Sequence, residues 1–564
     1  MSTHTSERVR SASPGRSNGQ WLVDGHAPLN HNEEFKGVEN PLNVRARIDE
    51  YARQGFDSIA EDDLYGRFRW LGIYTQRKQG IDGGRTGTLS AEELSDRYFM
   101  MRIRVDGGRL TTEQTRVIAG ISNEFARGTA DISDRQNIQL HWIEIESVPE
   151  IFRRLESVGL STTTACGDTP RVFLGSPVAG VAADELIDSG PVLESITSRY
   201  LGSEEVANLP RKFKTSVTGN PSLDALHEIN DVSFVAVEHP ELGIGFDLWV
   251  GGALSTTPRL SERLGAFVTV EQVPDVWFGV VRIFRDYGYR RLRNKARMKF
   301  LLADWGPEKF RQVLQDEYLG YELADGPAPK PATGSADHVG VHEQKDGRLY
   351  VGLAPTVGRI SGDVLAGLAD AAEAAGSERL SLTPHQKVVV LDVDPARLDA
   401  FLAAVEPLGL TATPSPFRRH TMACTGIEYC KLAFVNTKDT ARTVIGELEK
   451  RFDGETIDTP ITLHVNGCPN SCARIQTADI GLKGQLMKSK DGADEFAYQV
   501  HLGGRLAENQ NGEPGFGRTV RGLKVSADDL PDYVERVVRS FLAERDGAET
   551  FAEWAHRAEE NSLK

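Results

Sequence analysis

The order of elements legible between residues 98 and 160 recurs between residues 349 and 410, so the chain must fold the same unit twice. YFMMRIRVDGGRL alternates like a strand and ends in a Gly-Gly turn. TTEQTRVIAGISNEFAR has helical spacing behind a Thr cap. ISDRQNIQLHWIEI alternates again and reads as one strand, and VPEIFRRLESVGL reads as a helix ending at Gly159. The later series is LYVGLAPTVGRIS, GDVLAGLADAAEAAG, RLSLTPHQKVVVLDV and PARLDAFLAAVEPLGL, ending at Gly409. Further on, FDLWVGGAL is mirrored by YQVHLGGRL. These matches predict an internal duplication of about 150 residues with a pseudo-two-fold axis, and ligand sites favour such interfaces between copies. ACGDTPR and LPRKFKTS are the first-copy segments expected to correspond to the cysteine-bearing segments of the second.

At 564 residues the chain is too long for one core. Its net charge of −16 argues against nonspecific binding to nucleic acid or to a membrane surface, and no apolar run approaches spanning length. The expected layout is a flexible segment 1–40, a lead-in and first half-domain 41–160, a first ligand domain 161–325, a mobile linker 326–338, a second half-domain 339–415, a metal domain 416–525 and amphipathic packing helices 526–564. Residues 1–20, rich in Ser and Arg, faintly resemble a transit peptide but read better as a loose terminus.

Four of the five cysteines fall in two pairs, Cys424 and Cys430 in ACTGIEYCK, and Cys468 and Cys472 in NGCPNSCAR. Four thiolates fit a [4Fe–4S] cluster. The wide first pair suits zinc poorly, since zinc pairs usually have two to four intervening residues. Spacing alone leaves zinc and unligated thiols as alternatives. The long, Cys-poor chain argues against disulfides.

CTGIEYCK followed by NGCPNSCARIQTADIGLKG resembles the cluster signature of the siroheme-dependent sulfite and nitrite reductases, a likeness extending over about residues 65–504. It implies an α+β, internally duplicated fold, with ferredoxin-like half-domains and two mixed α/β siroheme/cluster domains. It further implies a [4Fe–4S] cluster on Cys424, Cys430, Cys468 and Cys472, with Cys472 shared with the siroheme iron. Arg102, Arg171, Lys212 and Lys214 match the residues that hold the anionic substrate. On a strand, Lys212 and Lys214 face one side, where two ammonium groups need an anion between them; a solvated KxK is the plainer reading. Nitrite-reducing members tend to carry Asn where Lys214 stands, so sulfite is the expected substrate, with nitrite as the alternative.

The same likeness points Arg135, Gln139, His141, Arg211, Arg297 and Lys299 at siroheme carboxylates, although His141 alone reads equally as a structural histidine. The rest of the basic run from Arg285 to Phe300 is either a landing site for an acidic donor or a solvated helix face. Cys166, a small buried thiol on the plainer reading, is a candidate for a thioether link with Tyr74, as some members of the family have. No GxGxxG follows a strand, so electrons must come from outside, and ferredoxin is the expected donor. The expectation is a cytoplasmic monomer. Two rivals are a non-catalytic zinc or iron–sulfur protein, which would lack a siroheme band, and a pure electron relay, which would have no use for four converging cations.

Overall fold

The computed structural model describes residues 17–489, 491–509 and 514–564; the reading of residues 1–20 falls mainly on residues outside that range. Four five-stranded sheets form two matched pairs. The first half-domain sheet runs Ile73–Arg77, Ser95–Ile103, Ile138–Ile143, Thr129–Ile132, Arg359–Ser361; the second runs Gly340–Glu343, Leu349–Leu353, Val388–Val393, Arg379–Leu382, Arg109–Thr111. The last strand of each belongs to the other copy: Ile360 pairs with Ala130, and Leu110 with Leu380. Residues 41–160 and 339–415 therefore share one core, in which Ile118 and Leu140 are buried together with Leu365 and Val390. Helices Thr112–Phe125 and Gly362–Ala374 pack side by side, and Gly362 lies so close to the Ala119 carbonyl that a Cβ would stand 2.7 Å from it.

The other pair of sheets runs Leu174–Gly175, Thr215–Thr218, Val232–His239, Gly243–Val250, Glu262–Val268, and Thr421–Ala423, Leu463–Asn466, Ile480–Lys488, Asp494–Leu502, Arg518–Ser526. In each, the first three strands are parallel and the last two antiparallel. Each sheet buries one face under a helix, Val273–Tyr287 through Trp277 and Leu530–Glu544 through Phe541. Residues 526–564 thus serve packing, as their amphipathic pattern implies.

Three sequence expectations change. ISDRQNIQLHWIEI and RLSLTPHQKVVVLDV are each two strands joined by a tight turn, with Gln136 and Gln386 at φ 51° and 59°. Alternation continues across such a turn, so period alone does not reveal it; Pro384 was the available signal. The repeated unit also exceeds 150 residues, because the second sheet pair is duplicated too. Finally, the end of the linker is held: the Thr333 amide donates to the Pro221 carbonyl, Asp337 pairs with Arg419, and His338 with Asp224.

Candidate active site

The half-domain sheet separates apolar from polar by alternation. Phe99, Met101, Ile103, Ile138 and Leu140 enter the core, while Tyr74, Met100, Arg102, Gln139 and His141 line a cavity on the opposite face. Register sets Tyr74 opposite Met100 and Arg102 opposite Gln139. The cavity lies between the two copies and encloses about 1460 Å³, including solvent at its mouth.

A second wall comes from two loops of the first copy. Pro170 bridges to Phe213, and the Arg171 amide donates to the Phe213 carbonyl at 2.8 Å. Phe213 is fully buried, so Lys212 and Lys214 on either side of it turn toward the cavity, as strand alternation requires. Arg171 lines the same space, its Nε donating to the Gly167 carbonyl at 2.9 Å. Burial, with Arg135 nearby, pulls the Lys214 ammonium down to about 7, and burial with Lys214 nearby pulls Lys212 well below its ordinary value too. Burial opposes charge on Arg102 too, but Cys166 and Tyr74 beside it hold its proton more tightly; its NH1 lies 2.6 Å from the Cys166 sulfur.

The third wall carries the thiols. Cys424, Cys430, Cys468 and Cys472 all line this cavity, and all are free. Cys424 follows strand Thr421–Ala423, whose Ala423 is held at both its amide and its carbonyl by Gln386. Gly426, at φ 69°, turns the chain so closely past Thr437 that a Cβ would stand 2.4 Å from its hydroxyl. The buried Arg77 side chain binds the Ala433 carbonyl, and its amide donates to that of Tyr429, bracing the Cys430 loop. Cys468 is buried, whereas Cys472 is exposed to the cavity. Burial and the neighbouring Cys472 push Cys424 up to about 12 and raise Cys430 and Cys468. Thiols so disfavoured as anions need a metal's charge to ionise.

The residues fit both groups. Among the described residues no three His, Cys, Asp or Glu side chains are spaced to share one metal ion. Four thiolates on one cavity wall fit a cubane, which takes each thiolate on a different iron. A polycarboxylate macrocycle requires cations, and the lining provides Arg102, Arg135, Arg171, Lys212, Lys214 and Arg297 against the carboxylates Asp131 and Asp134. The Nε atoms of Arg135, Arg297 and Arg474 are buried without a partner among the described residues. Such groups cost free energy until an acceptor arrives.

Two expected contacts lie elsewhere. Lys299 sits behind the lining, its ammonium bonded to the carbonyls of Ala253, Leu254 and Thr257. Arg211 points to the Arg293 carbonyl and is not among the lining residues. Arg135 lines the cavity while bonding Asn230 and the Val172 carbonyl, and Arg297 lines it while paired with Asp231 at 2.9 Å. His141 lines the cavity, stacks on Tyr429 at 3.8 Å and faces Asp131 at 3.6 Å, with both ring nitrogens buried without a hydrogen-bond partner among the described residues. In the basic run, Arg290, Arg293, Arg297 and Lys299 all bind inner partners, which removes them from a surface landing site. Asp168, Arg77 and Gln386 escaped the sequence reading because their partners are distant in the chain. Arg474 stood unassigned within NGCPNSCAR.

The correspondence of the copies is also redrawn. Gln136 holds the amide and carbonyl of Gly175 as Gln386 holds those of Ala423, so Ser176 corresponds to Cys424. The counterpart of NGCPNSCAR is TGNPSLDAL, residues 218–226, and neither ACGDTPR nor LPRKFKTS. Likeness of letters between ACGD and ACTG had set the wrong register.

Comparison with known proteins places this geometry. The profile of the Nitrite and sulphite reductase 4Fe-4S domain matches residues 166–323 and 415–563, and that of the Nitrite/Sulfite reductase ferredoxin-like half domain matches 92–158 and 342–408. Sulfite reductase [ferredoxin] of Mycobacterium tuberculosis is 54% identical over 97% of this chain and 98% of its own. The assimilatory ferredoxin-dependent nitrite reductase of Haloferax mediterranei is 37% identical over 91% and 89%. The solved structure of the Mycobacterium tuberculosis NirA protein superposes with a TM-score of 0.95 at 54% identity, covering 97% of this chain and all of that one.

Proposed function

The chain belongs to the nitrite and sulfite reductase family, and we propose that it is a ferredoxin-dependent sulfite reductase, carrying out the six-electron reduction of sulfite to sulfide. One observation carries this reading: four free thiols and the cations Arg102, Arg171, Lys212 and Lys214 open into the same cavity between the two copies. Cys424, Cys430, Cys468 and Cys472 would hold the [4Fe–4S] cluster, and Cys472, the exposed one, would also reach the siroheme iron. When bound, the two groups supply single electrons and an open iron position for the anion.

The chain's own residues do the rest. Arg102 and Arg171 offer rigid donor forks and Lys212 and Lys214 compact charges, which together offset the desolvation of a dianion. Each charge-assisted hydrogen bond contributes roughly 1.5–3 kcal/mol. Lys214, titrating at about 7, is suited to give a proton to substrate oxygen and recover it from water. Arg135, Gln139 and Arg297 are assigned to siroheme carboxylates, and Tyr74 and Cys166 to a thioether beside the site. No helix among the described residues is long and apolar enough to cross a membrane. The free thiols suit a reducing cytoplasm. A monomer is the proposed working unit.

Nitrite is the second reading, favoured by relatives named nitrite reductases, among them that of Synechococcus elongatus at 34% identity. Anaerobic turnover with reduced ferredoxin and each anion in turn is the test. Sulfide formation with the higher kcat/KM for sulfite supports the proposal; a visible spectrum without a siroheme band, or turnover confined to nitrite, overturns it.

A further inference from the structure

We propose that Lys36, in a segment covered by neither family profile, is a positioning residue that fixes the loop carrying Arg171 against the loop carrying Lys212 and Lys214. The proposal rests on the reading above that these three residues bind the anion. Lys36 lies in helix His31–Val38, and its ammonium is fully buried. It reaches three acceptors: Glu33 at 2.6 Å, Asp168 at 3.2 Å and the Leu209 carbonyl at 2.9 Å. Asp168 belongs to the first loop and Leu209 to the second, and the Leu209 amide donates back to the Asp168 carbonyl at 3.0 Å.

The link runs on into the anion site from both ends. The Gly167 carbonyl, next to Asp168, receives the Arg171 Nε. On the other side, Arg293 binds both Asp168 oxygens, at 2.6 and 3.0 Å, and the Pro210 carbonyl, two residues before Lys212. Trp70 backs the same junction, lying against Gly167 and donating its indole N–H to the Ala207 carbonyl at 2.7 Å. Burial alone would raise the Asp168 carboxyl; Lys36 and Arg293 instead hold it below the usual range. A fully buried lysine is costly to keep. Here its ammonium, like the Arg293 guanidinium, lies where both loops present an acceptor, and it is the more deeply buried of the two.

The test uses the cofactor-loaded protein. Sulfite affinity is read from the shift of its visible band, and KM and kcat from turnover with reduced ferredoxin. K36M removes the ammonium at similar volume, and D168N removes the opposing charge. Each is expected to raise sulfite Kd and KM about five- to tenfold, with kcat changed less than about threefold and cofactor content unchanged. The double variant K36M/D168N should lose no more than the worse single variant, because both break one link. Wild-type Kd in loaded K36M, or a double loss equal to the product of the single losses, overturns the proposal. If K36M loads no cofactor, loaded K36Q, which leaves the Arg293–Asp168 pair intact, decides by the same Kd criterion. K214M separates the two readings: if it leaves sulfite Kd unchanged, the assigned anion site is wrong, whereas if it weakens sulfite and K36M does not, only the role of Lys36 falls.

Discussion

Asp224 occupies in the first copy the place that Cys472 occupies in the second. The turns agree residue by residue: Leu223 and Ser471 have φ 56° and 57°, and Leu226 and Arg474 have φ 55° and 57°. Where the second copy presents thiols, the first holds a closed network. Asp224 accepts from Ser176 at 2.6 Å and Thr218 at 2.8 Å and contacts His338 of the linker at 2.8 Å. Ser176 is itself the counterpart of Cys424. At this turn one copy carries thiols, and the other carries a closed hydrogen-bond network.

Removing that carboxylate should therefore cost stability without touching the metal site. D224A leaves Ser176, Thr218 and His338 without their acceptor, a loss of about 2–4 kcal/mol. Thermal unfolding should show a lowered midpoint while the loaded variant keeps its visible spectrum; a lost cluster signal would contradict the separation of roles.

Cys472 is expected to matter to both cofactors. C472S should lower iron and acid-labile sulfide, abolish the normal siroheme band, and reduce turnover by more than about a hundredfold. Metal analysis together with absorption spectroscopy checks this. Normal iron content with an unchanged band would remove the shared-ligand assignment.

Lys214 is the residue proposed to favour sulfite over nitrite. K214N should raise the sulfite KM by about tenfold or more, the loss of one charge-assisted contact, and change nitrite kinetics less. The ratio of the two kcat/KM values measures the switch, and an unchanged ratio would place the discrimination elsewhere.

The same lysine predicts a pH effect in the cofactor-free chain. Its pKa is near 7 when folded and ordinarily 10.5, so between these values the unfolded chain holds the extra proton. Stability should rise with pH across that window, by a few kcal/mol at most. The difference in unfolding midpoint between wild type and K214M reads this contribution together with the relief of Lys212, which acts in the same direction, and a difference that stays flat with pH would refute it.

Tyr74 and Cys166 both lie against Arg102, whose guanidinium donates to the Cys166 sulfur and to the Tyr74 oxygen. Tryptic digestion should yield their two peptides joined and lighter by two hydrogens, lost in a two-electron oxidation by dioxygen, and C166S should release an unmodified Tyr74 peptide. Recovery of free Cys166 from active enzyme would dispose of the link.

What could be read before folding was mostly short-range. The Cys pairs, the KxK pair and the alternation that set Arg102 and Gln139 on one face are local, and the structure brings them to one cavity. The exchange of strands between copies was not legible, because Arg109–Thr111 and Arg359–Ser361 are three residues long and carry no pattern of their own. The partners of Arg293 and Lys299 were hidden for another reason: a buried cation and a solvated one have the same letter. Asp168 shows the converse, since nothing nearby signals that cations 132 residues before it and 125 after it meet at its carboxylate.

The exchanged strands impose an order on synthesis. Arg109–Thr111 leaves the ribosome long before Arg379–Leu382, its neighbour in the sheet, and Thr129–Ile132 waits likewise for Arg359–Ser361. Until residue 382 has emerged, a nascent chain presents open sheet edges, which are templates for pairing with other chains. A truncated translation product would therefore be a substrate for chaperones and proteases rather than a smaller working reductase.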